Sequence, residues 1–103
     1  MYILKIKLNE KEYGLSTIKA SAIKKIIAFQ KKNAILQAQA QAENVDTTEQ
    51  ILDMMVDFLV SIYENQFTNE DVWNGLALSE LQPEFDKTIE AVMSAFNIDN
   101  KKK

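Results

Sequence analysis

Leu4, Ile6 and Leu8 alternate with Lys5 and Lys7 in the opening Tyr2-Ile3-Leu4-Lys5-Ile6-Lys7-Leu8, the period-two pattern of a strand with one buried face. Asn9 to Glu12 reads as a turn, and Tyr13 and Leu15 resume the alternation, so residues 2–16 predict a β-hairpin. A lone hairpin is marginal in water and must pack on something.

From Ser21 the period becomes helical. With Ser21 as N-cap, Ile23, Ile26, Ile27, Ala34 and Ala38 share one side of a helix over about 21–43, flanked by Ala22, Phe29, Leu36 and Ala40. Lys24, Lys25, Lys31 and Lys32 lie opposite, with Ile35 projecting among them. The Gln-Ala alternation of residues 37–42 lacks branched or aromatic side chains and is read as a continuation of that helix. Asp46 with Glu49, or Thr47 with Gln50, has capping-box spacing and opens a second helix over about 48–65. Its apolar residues cover most of the circumference, leaving a seam of Asp53, Asp57, Ser61 and Glu64, which makes it the central helix of the core. Thr68 and Asp71 cap a short third helix over about 69–74, with Gly75 expected to stop it in a left-handed conformation. A fourth helix, about 80–96, starts near Ser79 or Gln82, with Pro83 in its first turn. Leu81, Phe85, Ile89, Val92 and Phe96 form its single stripe. The expected fold is α+β and mostly α: an N-terminal β-hairpin followed by a bundle of three to four helices. It forms one domain over residues 1–98 with a charged tail at 99–103.

At 103 residues, folding buries roughly 65% of the extended chain's surface, enough for one core. The chain contains neither cysteine nor histidine, which removes disulfides, zinc sites, thiol nucleophiles and imidazole bases. Only Gly14 and Gly75 are glycines, and neither sits in a phosphate-cradling pattern. Asp53, Asp57 and Glu64 share one helical side, and spaced carboxylates of this kind can hold magnesium for nucleotide chemistry. A solvated face accounts for them, however, and only Glu43-Asn44-Val45-Asp46, in a predicted loop, has the paired-acid spacing such enzymes use. Catalysis, cofactor and metal are therefore not expected. Trp73 reads as a plug for one end of the bundle, and Met54 and Met55 as core filler.

The net charge of -3 conceals a separation. Residues 1–32 hold eight lysines and two acids, residues 33–100 one lysine and thirteen acids, and Lys101, Lys102 and Lys103 follow. Every cation is lysine, so the bidentate arginine contacts favoured in nucleic-acid recognition are missing and no nucleic-acid partner is expected. Asp53 and Asp57 interrupt the apolar run 51–63, and Lys5 and Lys7 interrupt the first segment, so neither a membrane span nor a secretory leader is expected.

The apolar sector of the first helix, about 200° wide, exceeds the roughly 100° needed to cover one core. Part of it should remain for another molecule, and Ala22, Phe29, Ile35, Leu36 and Ala40 are the candidate protein-binding surface.

Three segments carry a family resemblance: Leu8-Asn9-Glu10-Lys11-Glu12-Tyr13-Gly14-Leu15, Ile26-Ile27-Ala28-Phe29-Gln30-Lys31-Lys32, and Gln66-Phe67-Thr68-Asn69-Glu70-Asp71-Val72-Trp73-Asn74-Gly75-Leu76. In this order, over nearly the whole chain, they resemble the tail assembly chaperones of long-tailed phages and prophages of Gram-positive bacteria. One departure is Glu10, where many relatives have glycine, which disfavours a tight two-residue turn. The resemblance implies a non-enzymatic protein of the host bacterial cytoplasm, absent from the mature virion. It would bind the tape measure protein, keep it soluble, assist recruitment of tail tube protein and associate with its own copies. It also implies a longer frameshifted form, and the adenine-rich codons of Lys101-Lys102-Lys103 would suit such a site, although a solubilising charged end is the simpler reading. A small phage-encoded regulatory or inhibitor module that binds a host protein is the alternative.

Overall fold

The computed structural model describes residues 2–101, with side chains through Phe96. Leu4–Leu8 (β1) and Lys11–Leu15 (β2) pair antiparallel, from Leu4 opposite Leu15 to Leu8 opposite Lys11. Leu4, Ile6 and Leu8 are buried while Lys5 and Lys7 face solvent, so the alternation read from the sequence sets the sheet's inner face. The connection is nevertheless tighter than expected. Asn9 and Glu10 alone join the strands, both left-handed, with φ of 49° and 69°. This is the two-residue hairpin turn whose twist matches that of the strands; sliding the register by one residue would turn the three β1 side chains out of the core. That cost outweighs the strain of holding a glutamate where relatives favour glycine.

Four helices follow, Ser21–Glu43 (α1), Thr48–Ile62 (α2), Asn69–Gly75 (α3) and Leu78–Lys101 (α4), giving a mostly α, α+β fold. Helix α2 is the central element, with Val56, Leu59 and Tyr63 at its end fully enclosed. The hairpin supplies Leu4, Ile6 and Leu8 to the same core, α3 supplies Val72, and α4 supplies Leu81, Phe85 and Val92. Tyr13 of β2 meets Phe67 edge-on with ring centroids 4.9 Å apart, and Phe67 in turn packs on Tyr63 at 5.4 Å.

The helix ends follow backbone hydrogen bonding more than the expected side-chain caps. Ala20, not Ser21, precedes α1, and no side chain caps it. Asp46 Oδ1 accepts from the Thr48 amide at 2.9 Å; the Thr48 hydroxyl, and after it this amide, hold the Asp46 carboxyl below its usual value, while Thr47, the N-cap of α2, is buried and contributes no side-chain bond. Helix α2 stops three residues short of the expected end. Glu64 turns left-handed and its amide donates to Ser61 O, while the Asn65 amide donates to Val60 O, each at 3.0 Å. Thr68 and Asp71 form the expected reciprocal box: the Asp71 amide donates to Thr68 Oγ1 at 3.1 Å and the Thr68 amide to Asp71 Oδ2 at 2.9 Å. Gly75 is not left-handed. A Cβ there would lie 2.9 Å from Leu8 Cβ, so its bare backbone is what lets α3 close against the hairpin.

Helix α4 begins at Leu78, its entry fixed by the Ala77 amide donating to Glu80 Oε1 at 3.1 Å. Pro83 therefore sits one turn inside the helix, not in its first turn. The stripe of α4 also differs: Thr88 is fully buried and returns its hydroxyl to Glu84 O at 2.9 Å, whereas Phe96 stands largely exposed. Lys87 ties α4 to the hairpin by donating to Lys5 O at 2.7 Å, and its ammonium lies 2.7 Å from Glu84 Oε1. Burial, reinforced by the nearby Glu84 carboxylate, pushes the enclosed Tyr63 phenol far above its ordinary 10.0, so it remains protonated. The helix continues through Lys101, into the segment expected as tail, while Lys102 and Lys103 lie outside the described residues.

Glu10→Gly should raise stability by about 0.5–1 kcal/mol, since glycine adopts the left-handed conformation without a Cβ penalty. Gly75→Ala should lower it by about 1–3 kcal/mol, because the added methyl meets Leu8 and cannot be absorbed by a rotamer change. Urea denaturation of the two variants beside the parent reads both effects.

Candidate protein-binding surface

Helix α1 gives little of itself to the core. Of its 23 residues, only Ala22 and Ile26 are buried, with Phe29 and Ile23 packed partly against the core cluster. Its inward direction is set by an aromatic trio: Phe29 lies 4.9 Å from Phe85 and 5.8 Å from Phe58, and Phe58 lies 5.3 Å from Phe85, measured between centroids. A bond from Lys25 Nζ to Ser61 O at 2.9 Å fixes the same orientation by placing a cation at the carbonyl end of α2.

This orientation reverses much of the assignment made from the sequence. Ala22, expected on the binding surface, is only 5% exposed and belongs to the core. Phe29 is half-buried in the trio, and Leu36 and Ala40 are half-buried farther along the same side. Ile35 is 58% exposed, as a surface residue would be. Ile27, expected to face the core, is 46% exposed, and Ala34 and Ala38 on its side are exposed as well. An apolar sector this wide has two possible centres, and periodicity does not choose between them. The available signal was side-chain size, because a phenylalanine gains more from burial than the isoleucine two residues before it.

Between α1 and α2 runs an open groove of ≈ 220 Å³. Phe29, Phe58, Ala28 and Met54 contribute its apolar lining, with Lys25 and Lys32 from α1 and Asp57 and Ser61 from α2. Asp57 also accepts a hydrogen bond from the Asn69 side-chain amide. Among the described residues, neither Lys25 nor Lys32 pairs with a carboxylate. A second cleft, ≈ 210 Å³, separates Ile18 and Ile23 from Val92, Ala95 and Phe96. Trp73 is no plug: it is 44% exposed beside Leu76, Leu78 and Leu81, and Leu78 itself is 82% exposed.

The acidic seam disperses. Asp53 is exposed, Asp57 faces Asn69, and Glu64 pairs with Lys19 at 3.0 Å. Among the described residues no group of three or more carboxylates is placed to hold a metal ion, and no helix is long and apolar enough to cross a membrane.

The structure combines a compact core, one long helix committed to it along a single side, and apolar surface left on the others. A family model described as phage tail chaperone protein matches residues 1–103, and the chain belongs to that family, whose role is in tail assembly. Comparison with curated proteins and with solved structures gives no match.

Phe29→Ala should cost about 2–4 kcal/mol of folding stability by opening the aromatic trio. Ile35→Asp should change it by less than about 0.5 kcal/mol, as expected for a surface position. Chemical denaturation monitored by circular dichroism separates the two.

Proposed function

We propose that this chaperone binds helical segments of the tape measure protein through the apolar surface its own core leaves uncovered, and so keeps that long client soluble while tail tube protein assembles around it. The observation that carries the reading is the single-sided commitment of α1, which leaves Ile27 and Ile35 in solvent and the groove beside Phe29 open. Exposed isoleucines on a small chain are unfavourable alone and become favourable once a client covers them. Several copies along one client add through effective concentration, so each contact can be weak, and contacts among neighbouring copies strengthen the array. The work is done in the host cytoplasm, before the virion is complete, by binding and release without a chemical step.

Co-expression with the tape measure gene of the same phage tests this. The parent chain should raise the soluble fraction of that protein and copurify with it. The Ile27→Asp, Ile35→Asp double variant should keep the parent's helical circular dichroism and lose most of the effect. A parent chain that leaves the tape measure protein insoluble overturns the proposal.

A further inference from the structure

The corner where α3 gives way to α4 also leaves large apolar side chains in solvent. Trp73 is 44% exposed and Leu78 82%, and with Val72, Leu76, Ala77 and Leu81 they line a cleft of ≈ 100 Å³. That is the space of about three waters, or of one branched aliphatic side chain. The rim of the cleft is acidic. Glu70 stands one turn before Trp73 on α3, and Glu80 Oε1 accepts from the amide of Ala77, a lining residue, at 3.1 Å. Both acids are exposed, and neither pairs with a lysine among the described residues. No lysine occurs from residue 33 to residue 86.

The second half of α1 carries the complement. Ile35 is 58% exposed, and its exposed neighbours Ala34 and Ala38 are too small to cover it. Lys31 and Lys32, at the i,i+4 and i,i+3 spacings before it, flank it on the helix surface; both are exposed and neither makes an ion pair among the described residues. One surface is thus an isoleucine between two cations, the other an apolar cleft rimmed by two carboxylates. A tryptophan at the centre of an apolar patch with charges at its edge is the composition of an interface core with its rim. The two surfaces are different, so they meet head to tail, and each copy retains one of each for a further neighbour.

Resting on the reading that several copies line one client, we propose that the α3–α4 corner of one copy receives Ile35 of a second copy, with Lys31 and Lys32 set against Glu70 and Glu80. The two exposed isoleucines of α1, eight residues or about 12 Å apart along its axis, then divide the work. Ile27 and the groove beside Phe29 remain for the client, and Ile35 joins neighbouring copies along it.

Sedimentation of the full chain over a concentration series tests the contact. The parent should grow past the dimer as concentration rises and should dissociate as salt is added. Ile35→Asp removes one surface and Leu78→Asp the other, so each variant alone should stay monomeric with the parent's helical circular dichroism. Mixed, the intact corner of the first meets the intact α1 of the second, and the mixture should form a one-to-one dimer that extends no further. Lys31→Glu with Lys32→Glu should weaken parent association roughly tenfold, the scale of exchanging two exposed attractions for repulsions. If Leu78→Asp loses helix, Glu70→Lys at an exposed position takes its place in the mixture. A parent that remains monomeric throughout, or a mixture of folded variants that does so, overturns the proposal. The co-expression assay separates the two levels: a parent that solubilises the tape measure protein while the variant mixture stays monomeric overturns the copy contact and leaves the chaperone reading standing. A mixture that dimerises beside a parent that leaves the tape measure protein insoluble does the reverse.

Discussion

The structure depends on enclosing α2. That helix is apolar around most of its circumference, so it cannot rest on one neighbour as an ordinary surface helix does; it needs cover on nearly every side. The hairpin, α1, α3 and α4 each present one apolar face to the common core, and Val56, Leu59 and Tyr63 disappear from solvent. The chain is short enough that this task consumes most of its elements. Helix α1 therefore contributes Ala22, Ile26 and Phe29 inward, while the exposed part of its broad apolar sector meets no further element among the described residues. The surplus surface follows from how the core is covered.

The same economy appears at the joints. Asn9, Glu10, Asn44, Glu64 and Asn65 all adopt left-handed backbone, and none is glycine. Asparagine tolerates that region; glutamate does so at a cost. At Glu64 the cost is offset by two backbone bonds that close the end of α2 and by an ion pair to Lys19. At Glu10 it is offset by the register of three buried β1 side chains. The two glycines serve other purposes: Gly14 lies beneath the Tyr2 ring, and Gly75 allows α3 to approach Leu8. Where a glutamate makes the turn, the turn is enforced by what it holds together; elsewhere asparagine eases it.

This explains which features were legible in the sequence. The hairpin, the bounds of α1, the central place of α2 and the Thr68–Asp71 box follow from local patterns, and all are present. The turn at Glu10, the entry to α4 and the conformation of Gly75 depend on partners distant in sequence, and local rules mislead there. The binding surface is the most instructive case. Periodicity reveals that α1 is too apolar for one core but assigns its faces wrongly, because the Phe29–Phe58–Phe85 contact joins three helices and leaves no periodic trace. Only Ile35 among the expected surface residues stands mostly in solvent.

Exposed apolar side chains on an assembly factor raise the question of why they do not simply pair with each other. The lysines interspersed along α1 provide a physical answer. Ile27 and Ile35 lie on the side of the helix that also carries Lys24 and Lys31, and no carboxylate occurs between Ser21 and Ala42. Two α1 helices brought face to face would gain the burial of a few isoleucines and alanines but would oppose several unpaired ammonium groups across a desolvating interface, where like charges in juxtaposition cost several kcal/mol. A partner surface rich in carboxylates would avoid that penalty. The acidic remainder of the chain, residues 33–100, does the same for any contact between copies, which would join unlike regions of the two molecules. Charge segregation thus opposes the most symmetrical way of hiding this apolar surface, two α1 helices packed face to face.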